Sequence, residues 1–177
     1  MTAGAGSGTA AVPDGSSPDG STVRLLRRGL LGLAGLSVLA IAFELAAERH
    51  WSNAVQLIPW AVLVVLVAAI GLATSPRPRL ILAARVLAAL ALAASAFGIY
   101  EHVADNYQVG ELDAVYSNSW AYRSIPDRVY LAFTKSVGAA PPIAPGALGQ
   151  AGLLVLLATV GQGRRNSVLF RPSRTCG

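Results

Sequence analysis

His50 and His102 are the two histidines of this 177-residue chain. Each sits beside a glutamate: Glu48 precedes His50 by two positions, and Glu101 directly precedes His102. Histidine nitrogens with carboxylate oxygens suit zinc, copper, iron or manganese. His50, His102, Glu44, Glu48 and Glu101 therefore form a candidate transition-metal set. Two histidines on two helices also suit axial ligation of a haem. Asp105, Asn106 and Glu111 extend the polar cluster. If the helix carrying His102 continues, His102 and Asn106 share one face and Glu101 and Asp105 share another. The alternative stays open that all these groups cap helices and hydrogen-bond at a wet interface, since the chain has no HExxH, CxxCH or Glu-x-x-His pattern. Gln56 and Gln150 are further polar residues within apolar stretches. With Glu44 they would line a path if the protein were a small transporter.

The elements that must position these residues are hydrophobic helices. Residues 80–100 are apolar except for Arg85. Twenty-one residues at about 1.5 Å each cross a bilayer core of roughly 30 Å. Ala84, Ala88, Ala91, Ser95, Gly98 and His102 recur at spacings of 4, 3, 4, 3 and 4. That is a seam of small residues of the kind that lets helices approach closely within lipid. Further spans are expected at about 29–47, 54–73 and 143–160. The first carries Gly29, Gly32 and Gly35, then Ser37, Ala40, Glu44 and Ala47 at helical spacing. The last carries Gly146, Gly149 and Gly152 and follows Pro141, Pro142 and Pro145. Glu44 lies either inside the first span, facing a partner, or at its solvated end. The basic residues before position 29 also fit a signal peptide. However, the apolar run is longer than a usual signal core, and Glu44 stands where cleavage would fall. A first spanning helix is therefore expected.

Between the third and fourth spans lies a long loop, 101–142. Within it, 126–137 predicts a short amphipathic helix with Val129, Phe133 and Val137 on one face, lying along the membrane surface. Residues 1–23 read as a disordered cytoplasmic tail and 163–177 as a basic one. The fold class expected is all-α: a polytopic antiparallel bundle of four transmembrane helices over 24–162, with one long extracytoplasmic loop.

Composition agrees with this reading. Hydrophobic residues make up 54% of the chain and charged residues 13%, against about 25% charged in a typical soluble domain. The net charge of +5 does not point to nucleic acid, because the basic residues flank apolar spans and no nucleic-acid-binding motif is present. A lone cysteine, Cys176, allows no disulfide within the chain and no paired-thiol redox chemistry. Four spans place Arg24, Arg27, Arg28, Arg77, Arg79, Arg85, Arg164, Arg165, Arg171 and Arg174 on one side. Only Arg49, Arg123, Arg128 and Lys135 fall on the other. Ten against four predicts both termini in the cytoplasm and the polar cluster outside.

His50-Trp51, Gln56 with Pro59, Glu101-His102 followed by Asn106 and Glu111, and then Pro142, Pro145, Gly146 and Gln150 form a pattern. Over residues 27–162 this resembles a family of small bacterial four-helix integral membrane proteins to which no activity is assigned. The resemblance implies that the outer polar residues belong together, and it implies no chemistry. Arginine strongly outnumbers lysine, which fits a high-GC bacterial source, so the expected location is the bacterial cytoplasmic (inner) membrane. Three functions follow: an accessory or scaffold subunit packed on a membrane partner or on its own copies, a metal- or haem-binding membrane protein, and a small transporter. No nucleophile–base set or phosphate loop favours an enzyme.

Overall fold

A computed structural model describes residues 19–162. The expected tails over 1–18 and 163–177 lie outside these residues. All regular structure among the described residues is helical: α1 (Asp19–Ala47), α2 (Ile58–Ala73), α3 (Pro78–Gln108), α4 (Ser117–Trp120), α5 (Ile125–Phe133) and α6 (Gly146–Thr159). Single 3₁₀ turns, Val55–Leu57 and Val109–Leu112, precede α2 and follow α3.

Three segments are long and apolar enough to cross a membrane: Gly20–Ala47, Val55–Ala73 and Pro78–Leu112. Large apolar side chains such as Leu33, Leu36, Phe43, Val64, Leu82, Leu90 and Leu157 stay exposed around the outside of the helices. A soluble monomer rarely shows a continuous apolar surface of that extent.

The fourth apolar helix is shorter than its expected span. α6 has 14 residues, about 21 Å, while α1 with 29 and α3 with 31 reach about 43 and 46 Å. Prolines set its start. Pro141, Pro142 and Pro145 lack N–H groups, and the chain enters α6 through tight turns in which Gly146 N–H donates to Ile143 and Leu148 N–H to Pro145. At its other end, Gly161 takes a φ of +74°, which breaks the helix.

α6 packs on α1, α2 and α3, while α1 and α3 each pack on α2 and α6 but scarcely touch one another. Two layers of small and aliphatic residues fill the interior. Leu31, Ala34, Ala84, Ala88 and Val155 lie in one, and Val38, Ile41, Leu66, Ala91 and Ala151 in the other. The α3 seam faces α6 as the spacing requires. A Cβ added at Gly152 would stand 2.8 Å from the Ala88 carbonyl oxygen, and one at Gly149 would stand 2.7 Å from Ser95 Oγ. One at Gly98 would stand 2.9 Å from the Pro145 ring. By contrast, Gly29, Gly32 and Gly35 on α1 have nothing within 4 Å of an added Cβ.

Three sequence-based boundaries need correction. α1 starts at Asp19, so residues 19–23 are helical and not part of a disordered tail. α3 continues eight residues past position 100, so the loop begins at 109 and not at 101. α5 stops at Phe133, short of 137. Its stop is a helix-ending motif with Lys135 at φ +58°: Ser136 N–H donates to Leu131 and Lys135 N–H to Ala132. Val137 is thereby turned inward and buried, whereas Val129 and Phe133 remain exposed together with Ile125 and Tyr130. The apolar stripe of α5 thus looks away from the protein, and Leu131 and Ala132 form its packed side.

Candidate functional site

The part of α3 beyond position 100 stands under a small cap formed by the 3₁₀ turn, α4, α5 and the chain leading to α6. Its core is Trp120, Leu131 and Val137, flanked by Tyr107 and Tyr116. The Trp120 ring lies flat against Gly110, where an added Cβ would overlap it, and meets Tyr107 edge-on at 5.5 Å. Arg123 lies over Tyr116 and ion-pairs with Asp127 at 2.8 Å, while Arg128 lies over Tyr107. Asp113 Oδ1 accepts from the N–H groups of Val115 and Tyr116, closing the turn before α4.

Asn106 joins this cap to the helices. It is the next seam residue after His102 and is 1% exposed. Its Nδ2 donates to the carbonyls of Ala132 (3.0 Å) and Ala140 (2.8 Å), and its Oδ1 accepts from Ala140 N–H (3.0 Å). One amide thus connects α3, the end of α5 and the chain leading into α6. Gly138, at φ +78°, packs on it so closely that a Cβ there would overlap the Asn106 side chain. One turn earlier, His102 Nδ1 donates to Pro141 carbonyl at 2.9 Å, leaving Nε2 as its free nitrogen. Two turns below, Ser95 Oγ donates to Pro145 carbonyl at 2.7 Å. The polar residues of the seam therefore bond main-chain carbonyls of the proline-rich segment.

The remaining expected ligands do not join them. Among the described residues, no three of His, Cys, Asp and Glu gather as a metal site would require. The physical reason is the packing. Glu48 and His50 lie in the turn that follows α1, His102 and Glu101 ride on α3, and these two helices are separated by α2 and α6. Glu44, Glu48, Asp105 and Glu111 are exposed, and Glu101 is half-buried. His50 occupies the last position of a second helix-ending motif. Its N–H donates to Leu45, Arg49 takes φ +50°, and the His50 carbonyl accepts from Trp60 Nε1 at 2.8 Å. Gln56 accepts from Ser52 N–H, while its own N–H donates to Asn53 Oδ1, a reciprocal cap at the start of the second span. Gln150 is exposed on the outer side of α6.

A second polar group was read in the sequence only as a marker of topology. Arg85, the one charge within 80–100, reaches the end of α6. It donates to Thr159 Oγ1 (3.2 Å), to Thr159 carbonyl and to Gln162 carbonyl (3.1 Å). From α1, Arg27 Nε donates to Ala158 carbonyl at 2.7 Å. Two cations thereby cover the last carbonyls of α6, where the helix dipole favours positive charge. The signal for this was Arg85 itself, since an ionised group at that depth needs a partner.

Comparison with protein-family models, with curated proteins and with solved structures finds no match for this chain.

Proposed function

We propose that this is a multi-pass protein of the bacterial cytoplasmic membrane with four crossings and both termini inside, serving as a non-enzymatic accessory or scaffold subunit. The observation that carries the reading is the Asn106 junction. The polar residues best placed for chemistry hold the outer cap rigidly onto the helices, as a structural part would require.

The crossings are supported by helix lengths and by the arginine asymmetry. α6 serves as the fourth although its helix is short. Non-helical backbone is tolerated at membrane depth where protein covers it. The turns before α6 are covered by Ser95 and His102, and its last carbonyls by Arg27 and Arg85. The outward stripe of α5, with Ile125, Val129 and Phe133, suits the outer headgroup layer. The open glycines of α1 offer a face on which a partner helix, or a second copy, can pack closely.

Cysteine labelling tests the topology. In a Cys176→Ser background, an Asn118→Cys variant should react with an impermeant maleimide in intact cells, and a Thr74→Cys variant only after permeabilisation. The reverse pattern would overturn the orientation. Labelling of both in intact cells would overturn the crossing by α3. Cross-linking from Gly32→Cys in membranes then tests the scaffold role, which requires a discrete adduct with a partner or with another copy.

A further inference from the structure

At the end of the molecule opposite the cap, α1 and α3 outrun α6 and leave a notch beyond its last turn. The stripe of α1 that faces the interior is Leu31, Ala34, Val38 and Ile41. Continued toward the N-terminus, the same stripe carries Arg24, Arg27 and Arg28, at i, i+3 and i+4. The space they face holds a cavity of about 700 Å³, whose opposite wall is the turn containing Thr74 and Ser75. Its floor is apolar, with Leu31, Ala73 and Ile81.

Arg27 is engaged with the end of α6. Among the side chains described, those of residues 20–162, Arg24 and Arg28 have no carboxylate within 4 Å, and the one ion pair is Arg123–Asp127 in the cap. Residues 163–177 add four arginines and no aspartate or glutamate. Guanidiniums gathered on one cavity wall are suited to an anion, and the fork geometry of arginine matches phosphate oxygens in particular. Above an apolar floor the favoured anion also carries apolar atoms.

We propose that this notch binds a phosphate group through Arg24 and Arg28, that of an anionic phospholipid or of a soluble phosphate ester. The phospholipid is the favoured source. With the orientation given under Proposed function, on which this part rests, the notch opens at the cytoplasmic leaflet, where anionic lipids concentrate. The apolar floor would then meet the glycerol and the first acyl carbons.

The test is thermal unfolding of the full chain in dodecyl maltoside micelles, titrated separately with phosphatidylglycerol, phosphatidylcholine and sn-glycerol 3-phosphate. Phosphatidylglycerol should raise the midpoint by several degrees and phosphatidylcholine should not. The Arg24→Gln/Arg28→Gln variant should bind roughly tenfold or more weakly. An Arg164→Gln/Arg165→Gln variant, with the same charge removed elsewhere, should keep the response. Thr74→Glu, which places a carboxylate on the facing wall, should abolish it and stands in if the double variant is unstable. An equal rise with sn-glycerol 3-phosphate would assign the site to a soluble ester and support the phosphate reading. The proposal fails if no phosphate compound acts, if both lipids act alike, or if the two double variants respond alike. Micelles have no sides, so a wrong membrane orientation would appear in the cysteine labelling and leave this result unchanged.

Discussion

Replacing Asn106 with Asp isolates the junction at almost constant shape. Oδ1 still accepts from Ala140 N–H, but an oxygen now stands where Nδ2 donates to Ala132 and Ala140. Two hydrogen bonds are lost, at about 1 kcal/mol each. The new carboxylate is buried against two carbonyl oxygens, which adds roughly 2 kcal/mol. The expected cost near pH 7 is therefore about 4 kcal/mol, or roughly a thousandfold more opening of the cap. Burial without a cation raises the folded-state pKa above the unfolded value near 3.9. Protonation therefore favours the folded variant. Below about pH 4 the neutral acid donates to one carbonyl again, and the cost falls to about 1–2 kcal/mol. It returns as pH rises through the folded pKa.

Arg123, Arg128 and Lys135 all lie in the cap, so trypsin reports its opening. Cleavage tracks the open population when opening and closing are fast relative to cleavage. At pH 8 the variant should be nicked in the cap far faster than the native chain. Near-ultraviolet circular dichroism of the Trp120 environment should show partial recovery between pH 7 and pH 4. Native-like resistance to trypsin at pH 8 would refute the junction. So would a cap equally disordered at both pH values, because the loss would then not follow the carboxylate charge.

The same substitution should have opposite signs on two helices. Gly152→Ala forces α6 away from the Ala88 carbonyl and should cost about 1–3 kcal/mol, while Gly32→Ala meets open space and should stabilise by up to about 1 kcal/mol, both read from thermal unfolding in detergent. Arg85→Leu leaves Thr159 and Gln162 carbonyls without their donor and should lower stability by about 2–4 kcal/mol, with faster amide exchange confined first to the end of α6. Arg49→Gly and Lys135→Gly each relieve a left-handed backbone position, and should raise the unfolding midpoint by the equivalent of a few tenths to about 1 kcal/mol.

The seam of α3 was legible because small residues at spacings of 3 and 4 have few uses in an apolar helix. Its extension to Asn106 follows from the same rule, and the helix did continue. What the seam meets was not legible. Its polar members bond to carbonyls of Ala132, Ala140, Pro141 and Pro145, and a carbonyl leaves no mark in the residue type. That the metal set does not gather among the described residues has a related reason. Proximity along α1 and α3 says nothing about which helices are neighbours, and here α2 and α6 lie between them. The α5 stripe was found in part. Val129 and Phe133 share a face, but period alone cannot tell whether that face looks at protein or at lipid. Val137 escaped because Lys135 adopts a backbone conformation that glycine usually supplies.

The two ends of the molecule differ in how their polar groups are satisfied, and this difference separates structure from binding. At the cap, the buried Asn106 and the half-buried His102 find partners within the chain, and Ser95 does the same below them. At the notch, Arg27 and Arg85 also end on main-chain carbonyls, but Arg24 and Arg28 extend the same inward-facing stripe and form no ion pair with a described side chain. Like charges held together on one helix face oppose folding by mutual repulsion. Their placement beside a cavity instead of on the open side of α1 is explained if an external anion completes them. The cap residues are then the ones whose loss should unfold the protein. Arg24 and Arg28 are the ones whose loss should leave the fold intact and remove a ligand.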